Sequence, residues 1–167
     1  LDALTNAPAA LERAWKLDWQ AAVAPLTAAR DLYVVGRGLG LGIAQEAALK
    51  LKETCGLHAE ALSAAELRHG PMALVNTGFP VLVFAQNDET LGGVESLATE
   101  LAERGAQIML AGAQAPKSIV LPTEKAHPAI QPMLIAQSFY RLVNAVSIAR
   151  GYDPDRPPHL RKVTETV

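Results

Sequence analysis

Short apolar runs alternating with helical segments constrain this chain more than any other feature. Leu32–Val35 reads as a short buried strand that runs into Gly36-Arg37-Gly38-Leu39-Gly40-Leu41-Gly42, and a helix follows from about Ile43 to Thr54. Val81–Ala85 and Ile108–Ala111 are further strands, with a shorter one at Ile119–Leu121. Between Val81–Ala85 and Ile108–Ala111 lies an amphipathic helix from about Glu89 to Arg104, closed by Gly105 at C′. In the last long stretch Ile135, Phe139, Leu142, Val146 and Ala149 recur at helical spacing, which predicts a helix from about Ile130 to Arg150 ended by Gly151. Such alternation predicts an α/β fold, a three-layer α/β/α sandwich whose parallel sheet is covered on both faces.

The ends read differently. Residues 1–30 form a helical arm, with Asn6 or Thr5 as N-cap before Pro8 and a break at Pro25. Leu11, Trp15, Trp19 and Leu26 are expected to carry its apolar side. Residues 31–151 form the α/β domain, and residues 152–167 a tail with three prolines, irregular at least as far as Pro158. The chain opens at Leu1 without an initiator Met, so an upstream part is expected.

Composition narrows the class of function. Half of the 167 residues are hydrophobic and 19% charged, an ordinary globular balance. A formal charge of -2 argues against nucleic acid or an anionic membrane as the main partner. No apolar run approaches the roughly 18 residues of a membrane helix. The single cysteine, Cys55, excludes an internal disulfide and a Cys-based zinc site and fits a cytoplasmic protein. No cofactor or metal is expected.

Three features could carry chemistry. The glycine cluster joins a strand to a helix N-terminus, a general phosphate-binding arrangement. The dinucleotide fingerprint requires a small third residue, and either register puts Leu41 or Ile43 there. A tight strand-to-helix turn is the better reading. On the following helix Glu46, Lys50 and Glu53 are spaced i, i+4, i+7 and share one face. By spacing alone that is a solvated stripe with a Glu–Lys pair. A helix starting at the C-terminal edge of a strand, where α/β sheets gather ligands, would place Glu53 near that edge, in position for proton transfer at a sugar carbon. Finally, Ser63-Ala64-Ala65-Glu66 reads as a capping box launching a short helical turn that Gly70-Pro71 stops, with His69 at its C-terminus.

Taken in order, Gly36-Arg37-Gly38, Glu46-Ala47-Ala48-Leu49-Lys50-Leu51-Lys52-Glu53, His58-Ala59-Glu60 and Glu66-Leu67-Arg68-His69-Gly70-Pro71 closely resemble the second sugar-isomerase (SIS) domain of the glucosamine-6-phosphate synthase family. They are still closer to that domain in SIS-type aminosugar-phosphate deaminases and isomerases. The similarity runs through Pro80–Ala85 and the long helix into Pro158-His159-Leu160-Arg161-Lys162-Val163-Thr164. The resemblance implies the flavodoxin-like SIS fold and a role for each matching residue. Glu53 matches the proton shuttle between sugar C1 and C2, and Glu46 and Lys50 lie in or beside its site. His69 matches the histidine that assists ring opening from a neighbouring subunit, and Lys162 the tail lysine that forms a Schiff base with the ketose carbonyl. An aldose–ketose shift needs such a base, acid and electrophile.

The same resemblance implies a sugar-phosphate substrate, a homodimer, and an N-terminal SIS domain of the same parent chain as partner. That N-terminal domain carries the family's Ser/Thr-rich phosphate loop. Here Thr5 and Ser63 are isolated, and Ser138 and Ser147 fall within a helix. Deamination of a glucosamine-6-phosphate-like substrate is the first expectation and the isomerase half of a glutamine-dependent fructose-6-phosphate aminotransferase the second. A non-catalytic sugar-phosphate-binding regulatory module is the rival, disfavoured because binding alone needs no base and no Schiff-base lysine.

Overall fold

The structure is a computed structural model that describes residues 1–158; Lys162 lies outside the described residues. Five parallel strands form one sheet in the order β2-β1-β3-β4-β5, with β1 Asp31–Gly36, β2 His58–Ser63, β3 Pro80–Phe84, β4 Gln107–Ala111 and β5 Ile119–Leu121. The helices are α1 Asp2–Thr5, α2 Ala7–Lys16, α3 Val23–Ala28, α4 Gly40–Cys55, α5 Leu91–Glu103 and α6 Gln131–Ala149. This is the expected three-layer sandwich, in the flavodoxin-like strand order.

The order dictates the layers. From β1 the chain crosses through α4 to β2 on one side, while β3 crosses through α5 to β4 in the opposite direction. Right-handed crossovers running in opposite directions put their helices on opposite faces. Accordingly Leu32, Val34, Leu82 and Phe84 face a core shared with α4 and α6, and Tyr33, Val35, Val81 and Val83 face a second core with α5. The connection from β2 to β3 contains two 3-10 turns, Glu66–His69 and Pro71–Leu74, whose Leu67 and Met72 join the α5-side core.

Four expectations are corrected. Strand β2 was not anticipated. It pairs with β1 along its full length, but only Ala59 and Ser63 are buried, so this edge strand lacks a continuous apolar run. Helix α4 starts at Gly40, inside the glycine run rather than at Ile43. A Cβ at Gly36 would collide with the Gly40 carbonyl, so only glycine lets β1 turn this tightly into the helix. Trp15 is 47% exposed, because α2 buries its small face, Ala7, Ala10 and Ala14. Trp19 and Leu26 do enter the main core, and the Trp19 indole N–H donates to the Pro122 carbonyl at 2.8 Å. Last, Asn6 occupies the N-cap position of α2 without capping it, since its amide donates back to the Asp2 carbonyl.

Candidate active site

Helix α4 is amphipathic for a simple reason. Ala44, Ala47, Ala48, Leu51 and Cys55 are buried against the sheet and α6, which leaves Glu46, Lys50 and Glu53 along one edge of the outer surface. Lys50 Nζ donates to Glu53 Oε2 at 2.5 Å and lies 3.9 Å from Glu46 Oε1. Their side chains are a quarter to a third exposed, with values of 33%, 31% and 25% for Glu46, Lys50 and Glu53. The hydrogen bond to Glu53 pushes the Lys50 ammonium above the ordinary lysine value; burial opposes this, and the charges of Glu53 and Glu46 add to it. Lys50 is therefore a cation at neutral pH, suited to fixing a carboxylate or stabilising negative charge rather than attacking a carbonyl.

The row extends onto α6. Tyr140 donates its hydroxyl to Glu46 Oε1 at 3.0 Å. Burial, the bond to Glu46 and the charge of Glu46 all push its phenol up, against a smaller opposing effect of Lys50. Sequence reasoning does not single out Tyr140, which follows Phe139 of the apolar helix face. Nothing local signals it, because the contact spans two helices distant in sequence.

The last turn of α4 is anchored from several directions. Gly56, at φ 57°, closes the helix, and the Leu57 N–H returns to the Leu51 carbonyl. Ser147 donates to the Thr54 carbonyl at 2.7 Å. Arg150 donates Nε to the Cys55 carbonyl at 2.8 Å and Nη1 to the carbonyls of Thr27 and Ala29. Ala29 lies just before β1 begins, so this guanidinium ties the end of α4 to the N-terminal edge of the sheet.

That tie corrects the expected position of Glu53. The helix does begin at the C-terminal edge of β1, but from Gly40 to Glu53 it climbs roughly 20 Å back along the strands. Glu53 thus sits at the N-terminal edge, not in the crevice beyond the strand ends. At the C-terminal edge lies a different cleft of about 350 Å³, whose lining includes Arg37, Arg68, Glu89 and Thr90 and none of the α4 row. The crevice argument for Glu53 falls away.

His69 is not brought to the row. It is exposed at the end of the Glu66–His69 turn, in the α5-side layer, with the sheet between it and α4. The turn is 3-10, and its capping box is half made. Glu66 Oε2 accepts from the Ser63 N–H at 3.0 Å, whereas Ser63 Oγ accepts from Ala65 rather than from Glu66. The hydroxyls considered as phosphate ligands have structural partners. Thr5 donates to the Leu1 carbonyl, Ser138 to those of Ala14 and Leu134, Ser147 to Thr54, and Ser63 Oγ also accepts from Arg37 at 3.0 Å.

Comparison with known proteins agrees with this architecture. Residues 25–131 match the family model described as SIS domain. The glutamine–fructose-6-phosphate aminotransferase (isomerizing) of Aeropyrum pernix is 39% identical over 155 residues, covering 85% of this chain and 24% of that protein. The C-terminal domain of the glucosamine-fructose-6-phosphate aminotransferase of Francisella tularensis superposes with a TM-score of 0.73 at 30% identity, covering 90% of this chain and 42% of that one. A glucosamine-6-phosphate deaminase of Thermotoga maritima gives 0.66 at 25% identity, covering 96% and 47%. The chain spans 24–29% of the length of such aminotransferases.

Proposed function

The chain belongs to the SIS-domain family, and on that premise we propose that it supplies the base-bearing half of an active site that isomerises a phosphorylated aminosugar between aldose and ketose. The observation that carries this reading is the Lys50–Glu53 pair, a carboxylate fixed by a lysine on a part-exposed face with Glu46 beside it. A shift of a carbonyl between C1 and C2 needs one base to move a proton across that bond. In this reading Glu53 is that base, Lys50 holds it correctly turned, and Glu46 lies beside Lys50. His69 serves ring opening in the site of a second subunit of a homodimer. Lys162 supplies the amine for a Schiff base.

Phosphate, in this reading, is held by an N-terminal SIS domain seated over the α4–α6 surface, which explains why the row lies away from the chain's own crevice. Residues 1–30 and 31–151 act as one packed unit and 152–167 as the tail that carries Lys162. The protein works in the cytoplasm; among the described residues no helix is long and apolar enough to cross a membrane.

Deamination of a glucosamine-6-phosphate-like sugar is the preferred net reaction, supported by the deaminase likeness. The glutamine-dependent synthetic direction is the second reading, supported by the higher identity to the aminotransferases. Ammonia release from glucosamine 6-phosphate, measured against glutamine-dependent amination of fructose 6-phosphate in the intact enzyme, separates them. Absence of both reactions, and of solvent-deuterium incorporation at C2, overturns the isomerase reading and favours a sugar-phosphate-binding module.

A further inference from the structure

Lys50 has a glutamate within reach on either side, Glu46 one turn before it and Glu53 one turn after. In a free helix the glutamate four residues N-terminal to a lysine is the favoured partner, which here is Glu46. The structure shows the opposite choice, with Glu53 at 2.5 Å and Glu46 at 3.9 Å. Something outside α4 decides it. The Tyr140 hydroxyl, projecting from α6, donates to the same Glu46 oxygen that faces Lys50.

We propose that Tyr140 is a positioning residue of this site: by occupying Glu46 it leaves Lys50 to Glu53. The inference rests on the reading that Glu53 is the base. Two arginines nearby are committed elsewhere. Arg150 is bonded to backbone carbonyls at the end of α4, and Arg141 donates to the Trp15 carbonyl and lies over its ring. A phenol whose pKa is pushed upward remains a donor throughout the working range, so the arrangement persists at any pH where the enzyme operates.

Removing the hydroxyl frees a Glu46 oxygen to compete for the ammonium. The Glu53 carboxylate then loses part of the cation that orients it, so kcat should fall while KM stays near its wild-type value. A merely structural tyrosine would lower stability without this kcat-selective loss.

The test uses Tyr140→Phe, Glu46→Gln and the double variant in the intact enzyme, with kcat and KM measured separately. Tyr140→Phe should lower kcat about tenfold with KM nearly unchanged. In the Glu46→Gln background, where no second carboxylate competes, adding Tyr140→Phe should change neither. A wild-type kcat in Tyr140→Phe, or an equal loss in both backgrounds, overturns the proposal while leaving Glu53 as the base. A Glu53→Gln enzyme that keeps full activity overturns both. A crystal structure of Tyr140→Phe provides a readout free of turnover: Lys50 should move toward Glu46, and an unchanged Lys50–Glu53 pair would count against the idea.

Discussion

Glu53 and His69 lie in opposite layers of the sandwich, Glu53 on α4 and His69 at the end of a turn packed into the α5-side core, with the sheet between them. No rotamer change within one chain can bring two such groups to one sugar. If both take part in catalysis, as the family resemblance implies, they must come from different subunits.

That separation yields a complementation test. Glu53→Gln and His69→Ala homo-oligomers should each be nearly inactive. Subunits mixed after reversible dissociation should regain part of the activity, because a mixed dimer then contains one intact pair. Mixtures as inactive as their parents, with exchange verified by mass, would place His69 outside the site or within the same chain's chemistry.

The ion pair that fixes Glu53 also has a stability signature. Lys50 titrates above 10.5 in the folded chain because of its bond to Glu53. A raised folded pKa gives a contribution fully present below the unfolded value and lost as pH rises through the folded one. This contribution should therefore be flat across neutral pH and fade above about pH 10. Since both side chains are only partly buried, the loss should be small. Thermal melts of wild type and Lys50→Met should differ by a nearly constant amount from about pH 6 to 9 and converge in alkali. A gap that widens with rising pH would contradict the pairing.

Arg150 holds the last turn of α4, which carries the proposed base Glu53. Its guanidinium satisfies three carbonyls in two segments, Cys55 at the end of α4 and Thr27 and Ala29 at the end of α3. Arg150→Met strands these part-buried acceptors and should cost about 2 kcal/mol in chemical denaturation. Lysine offers one compact ammonium in place of a planar fork, so Arg150→Lys should restore only part of it. An Arg150→Met protein as stable as wild type would show that water replaces the guanidinium without penalty.

Elements with strong periodicity were legible from the sequence. Helices α5 and α6 begin and end within about two residues of expectation, and the β3 and β4 runs of buried aliphatics were plain. Strand β2 was not, because His58-Ala59-Glu60-Ala61-Leu62-Ser63 is a partly solvated edge strand built from residues with modest strand preference. The Glu46–Lys50–Glu53 row follows from helical spacing alone, and the structure brings the three together. What spacing could not supply was the length of the climb: thirteen residues of helix carried Glu53 to the other end of the sheet. Tyr140 and Arg150 were invisible for a related reason, since each acts on α4 from a helix about a hundred residues away.

The last expectation concerns the 167-residue chain by itself: folded and soluble, it should turn over glucosamine 6-phosphate or fructose 6-phosphate at a negligible rate. Holding the reacting carbons against a base contributes roughly 7–11 kcal/mol in favourable cases. For a sugar phosphate, the phosphodianion is the natural handle for that positioning. Here the proposed base, Glu53, sits at the N-terminal edge of the sheet, where the Tyr140 hydroxyl already donates to Glu46 Oε1 at 3.0 Å and Thr54 Oγ1 to the Lys50 carbonyl at 2.8 Å. The two arginines of the crevice lie at the opposite edge, Arg37 donating to Ser63 and Arg68 paired with Glu100. Adding an N-terminal SIS domain should restore turnover, and Glu53→Gln should remove it again by at least about a hundredfold. Ammonia release or isomerisation by the isolated chain at the rate of the intact enzyme would mean that a phosphate site lies within these residues and that the α4 row does not need a second domain above it.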